Sequence, residues 1–176
     1  MVRKVNILSA LLPTCFIQIN YLIGAHAIGD AKNIFGTDLE SCSIDPMTGY
    51  FRDGYCNTNQ RDEGTHVVCA IMTKEFLDFT KAQGNDLSTP NEKYRFPGLK
   101  SGDGWCLCAL RWKEAYEAGL APHIKPLATH EKALQYVDKK TLEDHDAVVY
   151  FTSIFQALYN QLLKMFATSN KNAQRK

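Results

Sequence analysis

The chain has no CxxC pair, no glycine-rich phosphate loop, no dinucleotide fingerprint, no H-E-x-x-H phrase and no Ser-His-Asp order. These absences remove the zinc sites, nucleotide-binding domains, zincin proteases and triad hydrolases that spacing alone reveals. It also lacks a stripe of one charge. Its 20 basic and 19 acidic residues are interspersed, for a net charge of +1. Nucleic acid therefore finds no electrostatic footprint and is not expected as a partner. No apolar run is clean enough for a comfortable membrane span. Disorder is excluded as well, because 45% of the residues are hydrophobic and 22% charged. A chain of this size buries about two thirds of its unfolded surface, so it needs neither disulfide nor metal to fold.

The first 29 residues differ from the rest. They contain Arg3 and Lys4 and no acidic residue before a mostly apolar stretch that ends in Ala25-His26-Ala27. A basic start, an apolar centre and an A-x-A end are the parts of a secretory signal. Thr14, Gln18 and Asn20 interrupt the apolar part. A signal anchor, an organelle presequence and a helix packed on the domain stay open beside a cleaved signal. Residues 1–27 thus favour an exported or organellar location, with the cytoplasm as the other choice.

Cysteine use points the opposite way. Cys15 lies in the first segment, which leaves Cys42, Cys56, Cys69, Cys106 and Cys108 for the domain. An odd number cannot pair completely within one chain. A secreted disulfide scaffold is normally shorter and evenly paired.

Turn and periodicity signals divide the remainder into a domain at 31–146, a helix at 147–168 and a polar tail at 169–176. The expected fold is a single compact α+β domain. It has a small mixed sheet, three strand-helix units and a loop-rich N-terminal hairpin, with helices mostly on one face. Asp45-Pro46-Met47-Thr48-Gly49 reads as a turn. Arg52-Asp53-Gly54, flanked by Tyr50, Phe51 and Tyr55, reads as the hairpin. Strands are expected at 66–72, 105–110 and 123–128. Thr73 caps a helix that ends at Gly84-Asn85, a second helix runs 111–118, and Thr129 caps a third at 130–137. Residues 86–104, with two prolines and three glycines, form a long loop. A loop of that length in a small domain is usually functional. Beyond 146, Phe151, Ile154, Phe155, Leu158, Leu162, Met165 and Phe166 follow helical spacing. That amphipathic helix packs on its own domain, or serves self-association or a protein partner. Its polar face is poor in basic residues, which argues against a lipid surface.

One phrase occurs twice. Cys69-Ala70-Ile71-Met72-Thr73-Lys74-Glu75 returns as Cys108-Ala109-Leu110-Arg111-Trp112-Lys113-Glu114. Both copies read as a strand ending at cysteine with a helix beyond it. A thiol at a helix start sees backbone N–H groups and the positive end of the dipole, which favours thiolate. Cys108, with Arg111 nearby, is the candidate reactive thiol, and His66 the second candidate catalytic residue. Cys42, Arg52, Asp86, Trp105 and Arg111 are candidate ligand contacts. Cys106 and Cys108 share one face of the expected strand, and core burial is the plain alternative for both. Cys42, Cys56, His66 and Cys106 also have the chemistry of a zinc set, and a Cys42–Cys56 disulfide suits an exported chain. Asp53, Asn85 and Asp103 fit backbone-bonding turn roles better than ligand contact. The function expected is small-ligand or metal binding, with thiol-dependent catalysis as one form of it, in the loops rich in Cys, Gly and Asp. The alternative is a non-catalytic accessory subunit that docks through the last helix. No cofactor is specified.

Several long phrases resemble one family. They are Ser41-Cys42-Ser43-Ile44-Asp45-Pro46-Met47-Thr48-Gly49 with Arg52-Asp53-Gly54, His66-Val67-Val68-Cys69-Ala70, Gly84-Asn85-Asp86-Leu87-Ser88-Thr89-Pro90, Phe96-Pro97-Gly98-Leu99-Lys100, and Trp105-Cys106-Leu107-Cys108-Ala109 with Arg111-Trp112. The chain is similar there to the bacterial domain of unknown function numbered 2237, over residues 33–146. The resemblance implies one domain and supplies no mechanism. Members generally look cytosolic and begin near Asn33, so the N-terminal segment and the C-terminal helix are departures.

Overall fold

A computed structural model describes residues 31–173. The signal-like segment, Cys15 within it, and the last residues of the tail lie outside that range. The fold is α+β, as expected, but its sheet is smaller. β1 (His66–Ile71) and β2 (Gly104–Cys108) form one antiparallel pair. Val68 faces Leu107, Cys69 faces Cys106 and Ala70 faces Trp105. Alternation sends Val68, Ala70, Trp105 and Leu107 into the main core with Phe76, Trp112, Ile124 and Leu142. Cys69 and Cys106 face the other way, into a second cluster with Cys42, Cys56 and Ala128.

α1 (Lys74–Ala82) starts where expected, with the Thr73 hydroxyl accepting from Phe76 N at 3.1 Å. Gly84, at φ +80°, follows its end. α2 (Ala109–Glu117) starts two residues before the expected position. Cys108 is therefore both the last residue of β2 and the cap position of α2. The two copies of the repeated phrase are not equivalent. Cys69 sits inside a strand, four residues before its helix cap, whereas Cys108 occupies the cap itself.

The third strand-helix unit is much reduced. Pro122 and Pro126 bracket residues 123–125 and have no N–H to offer a ladder. The strand shrinks to Ile124, which bridges antiparallel to Ala70 and parallel to Asp146. The third helix is a 3-10 turn, Glu131–Gln135. Thr129 does not cap it, because its hydroxyl accepts from Cys69 N and donates to Lys125 O. His130 is the cap, its Nδ1 accepting from Lys132 N. A short helix that the periodicity did not reveal, α3 (Lys139–Asp144), is capped by Asp138.

One further correction concerns the N-terminal loops, whereas the C-terminal helix is found where expected. The expected hairpin at 50–55 is an irregular double loop, closed by Cys42 N to Gly54 O and Gly54 N to Thr48 O. Gly49 cannot be another residue there, since a Cβ would come within 2.2 Å of Tyr55 O at φ +92°. α4 (Ala147–Ala173) is a single long helix. Ala147 is buried and the Tyr150 ring stacks on His123 at 3.9 Å. Beyond them Phe151, Ile154, Phe155, Leu158 and Leu162 are exposed, as are Tyr159 and Leu163. No helix among the described residues is long and apolar enough to cross a membrane.

Candidate functional site

The sheet's second face is a sulfur layer. Cys42 bonds Cys69 and Cys56 bonds Cys106, so the expected Cys42–Cys56 pairing is replaced by two crossing ones. Both tie residues 41–56 to adjacent strands. That loop needs the ties, because its large apolar side chains, Ile44, Met47, Tyr50 and Phe51, are exposed. Buried Thr48 adds a third anchor, its hydroxyl accepting from Cys106 N at 2.8 Å. Lys125 Nζ adds a fourth by donating to Cys42 O. The sulfurs of Cys42, Cys56 and Cys106 lie within 4.8 Å of one another. As disulfides they have no thiolate to give a metal. His66, the fourth candidate ligand, bonds Asp62 through Nδ1.

Cys108 is the free cysteine among the described residues, and it is half-buried. It sits directly across the ladder from His66. Ala109 N donates to Thr65 O at 3.1 Å, just outside this pair. That bond marks a non-hydrogen-bonded antiparallel pair, the kind in which facing side chains approach most closely. A bulge at Val67 interrupts the ladder on the other side.

His66 is held from several directions. Its Nδ1 meets Asp62 Oδ1 at 2.5 Å. Asp62 Oδ2 accepts from His66 N at 2.8 Å and from the Thr58 hydroxyl at 2.9 Å. Burial pulls the Asp62 carboxyl upward, but the hydrogen bonds from His66 and Thr58 outweigh it and hold it below the usual range. An ionised Asp62 keeps the proton on Nδ1 and leaves the Nε2 lone pair open. Gly64 packs under the ring, where a Cβ would come within 3 Å of three ring atoms. Tyr50 stacks on the same ring at a centroid distance of 6.4 Å.

His66 also lines a cleft of about 790 Å³, with Tyr50, Arg52, Asp86, Arg95 and Trp105 among its walls. Four of the sequence candidates therefore meet: Arg52, His66, Asp86 and Trp105. Arg52 lies over the Trp105 ring at 4.8 Å and donates to Gly49 O. Asp86 has a turn role as well, accepting from Ser88 N, Thr89 N, the Thr89 hydroxyl and Lys81. Those contacts, led by the Thr89 hydroxyl, hold its carboxyl far below the usual range. Three of the catalytic and ligand-contact candidates lie elsewhere. Cys108 is not among the residues that line the cleft. Cys42 is in a disulfide, and Arg111 turns away to Glu114 Oε2 and Gln83 O. Sequence reasoning missed Asp62, Thr65 and Arg95. The one available signal was Asp62, four residues before His66 in a turn-like stretch.

The fold and this constellation define a class: a disulfide-stapled α+β domain in which a carboxylate-oriented histidine lines an open cleft and faces a free thiol across the strand ladder. The chain belongs to the family described as uncharacterized protein conserved in bacteria (DUF2237), whose model matches residues 32–146. No curated protein matches the chain.

Proposed function

We propose that this protein is a thiol-dependent enzyme acting on a small electrophilic molecule bound in the cleft. Cys108 is the nucleophile, His66 the general base and Asp62 the residue that positions His66. Nε2 takes the thiol proton, leaving a thiolate beside an imidazolium, and the thiolate adds to an electrophilic double-bonded carbon of the ligand. The C–S bond forms, the π bond breaks, and its electron pair takes the proton back from the imidazolium. The observation that carries this reading is the Asp62–His66 bond directly across the ladder from a thiol. The first turn of α2 adds its dipole behind Cys108. Two disulfides fit an oxidising compartment, in keeping with an exported or organellar chain.

The test is alkylation of Cys108 by iodoacetamide, followed by mass spectrometry of its peptide so that Cys15 does not interfere. Cys108 should react faster than a free-thiol peptide near pH 7, and His66→Gln should remove the excess. A Cys108 rate no higher than that of the peptide defeats the proposal.

The exposed apolar residues of α4 support a second reading, an accessory subunit that self-associates or docks a protein through Phe151, Ile154, Phe155, Leu158 and Leu162. Truncation after Thr152 keeps the buried Ala147 and the Tyr150–His123 stack. The full chain should then be larger than a monomer in light scattering, and the truncated chain monomeric. A monomeric full chain removes the self-association form of this reading.

A further inference from the structure

Three non-glycine residues among those described have left-handed backbones: Arg52 at φ 56°, Thr65 at 49° and Arg95 at 48°. All three are at the cleft. Arg52 and Arg95 line it, and Thr65 immediately precedes His66. Such strain tends to persist where the surrounding structure holds a functional geometry. The two arginines also line an adjoining hollow of about 910 Å³, so they stand between the two spaces.

Their charges are not neutralised. The ion pairs among the described residues involve neither arginine. Burial, and then the charge of Arg95, lowers the affinity of the Arg52 guanidinium for its proton. The carboxylate on the cleft wall, Asp86, is taken by Lys81, Thr89 and Ser88. Asp103 in the adjoining hollow accepts from Lys100 N. Asp45 lines that hollow too, beyond ion-pair distance of either arginine. Two guanidiniums held close without a carboxylate, one of them stacked on Trp105, make a site that an added anion would complete. Around them Tyr50, Tyr94 and Phe96 offer aromatic surface.

We propose that Arg52 and Arg95 form the anion-binding end of the cleft, and that its ligand joins a carboxylate or phosphate group to an aromatic or apolar part. This rests on the reading of the cleft as the substrate site and gives that substrate its chemical class.

The experiment is titration of the full-length protein with phenyl phosphate, phenylacetate, inorganic phosphate and neutral benzyl alcohol, read by calorimetry and tryptophan fluorescence. At least one aromatic anion should bind tenfold or more tightly than benzyl alcohol, and more tightly than inorganic phosphate. A preference for phenyl phosphate or for phenylacetate decides between the two groups. Arg95→Gln and Arg52→Gln should each weaken that anion about tenfold, the effect of losing one charge-assisted contact. Benzyl alcohol should bind equally to all three proteins. If the unmodified protein holds benzyl alcohol as tightly as both aromatic anions, or binds neither anion, the inference fails whatever the variants do. It also fails if both folded variants keep full anion affinity. Cys108 alkylation rates taken in parallel separate the two readings. Loss of anion preference with a fast thiol overturns only this inference, and a slow thiol with anion preference intact overturns only the catalytic one.

Discussion

Replacing Asp62 by asparagine changes almost no volume and tests the thiol reading most directly. Asp62 accepts three hydrogen bonds, from His66 N, the Thr58 hydroxyl and the His66 ring. The asparagine carbonyl can take over the two bonds now made by Oδ2. Its amide then occupies the Oδ1 position and can only donate to Nδ1. The ring proton moves to Nε2, the wrong place for accepting a thiol proton. A correctly placed general base is worth about a hundredfold or more, so Cys108 should lose about that factor in its rate with iodoacetamide. Stability should change less. A bond to a charged group, about 1.5–3 kcal/mol, becomes a neutral one of about 0.5–1.5 kcal/mol. The expected loss is roughly 1–2 kcal/mol in urea unfolding near pH 7. The folded-state carboxyl lies below its ordinary value, so its contribution is complete above the unfolded pKa of about 3.9. It disappears as pH falls through the folded value. The stability gap between the two proteins should accordingly be flat above about pH 5 and close in acid. A folded Asp62→Asn protein whose Cys108 reacts within about twofold of the unmodified rate would refute the argument, since the tautomer shift is worth far more than that.

Other outcomes follow from packing. Replacing both Cys56 and Cys106 by serine opens a loop with a sequence separation of 50. By loop entropy it should cost about 4 kcal/mol, read by chemical denaturation without reductant. The same change should loosen the turn that carries Arg52 and so weaken any cleft ligand. Gly98→Ala forces a side chain onto φ +76° with its Cβ 2.5 Å from Ser88 O. It should lower stability by roughly 1–3 kcal/mol and disturb the loop behind Phe96, as seen in hydrogen exchange. Trp112 is fully buried, and its Nε1 donates to Pro122 O at 3.0 Å. Trp112→Ala should cost about 3–5 kcal/mol, with a matching fall in Tm.

Where the chemistry is local, sequence reasoning reached the structure. The Thr73 cap, the glycine stop after α1 and the places of the first two strands depend on neighbours a few residues away. The same reasoning failed at Thr129. A partner 60 residues distant, Cys69 N, claims its hydroxyl, and no local rule registers that. It failed again at residues 123–128, where β-propensity gave way to two prolines that leave room for a single bridge.

The candidate site divides along the same line. Sequence alone determined that the domain holds five cysteines, an odd number, that Cys106 and Cys108 share a strand face, that Arg52 lies in a turn and Asp86 in the long loop, and that His66 and Trp105 begin strands. Only the tertiary structure decided which thiol is odd. Strand pairing sets Cys69 beside Cys106, and two loop cysteines then close on that pair, leaving Cys108 free opposite His66. It also decided that Arg95 comes to Arg52 across 43 residues of chain (95 − 52). Disulfide partners and facing charges are set by distances in the folded state, and separation along the chain carries almost no record of them.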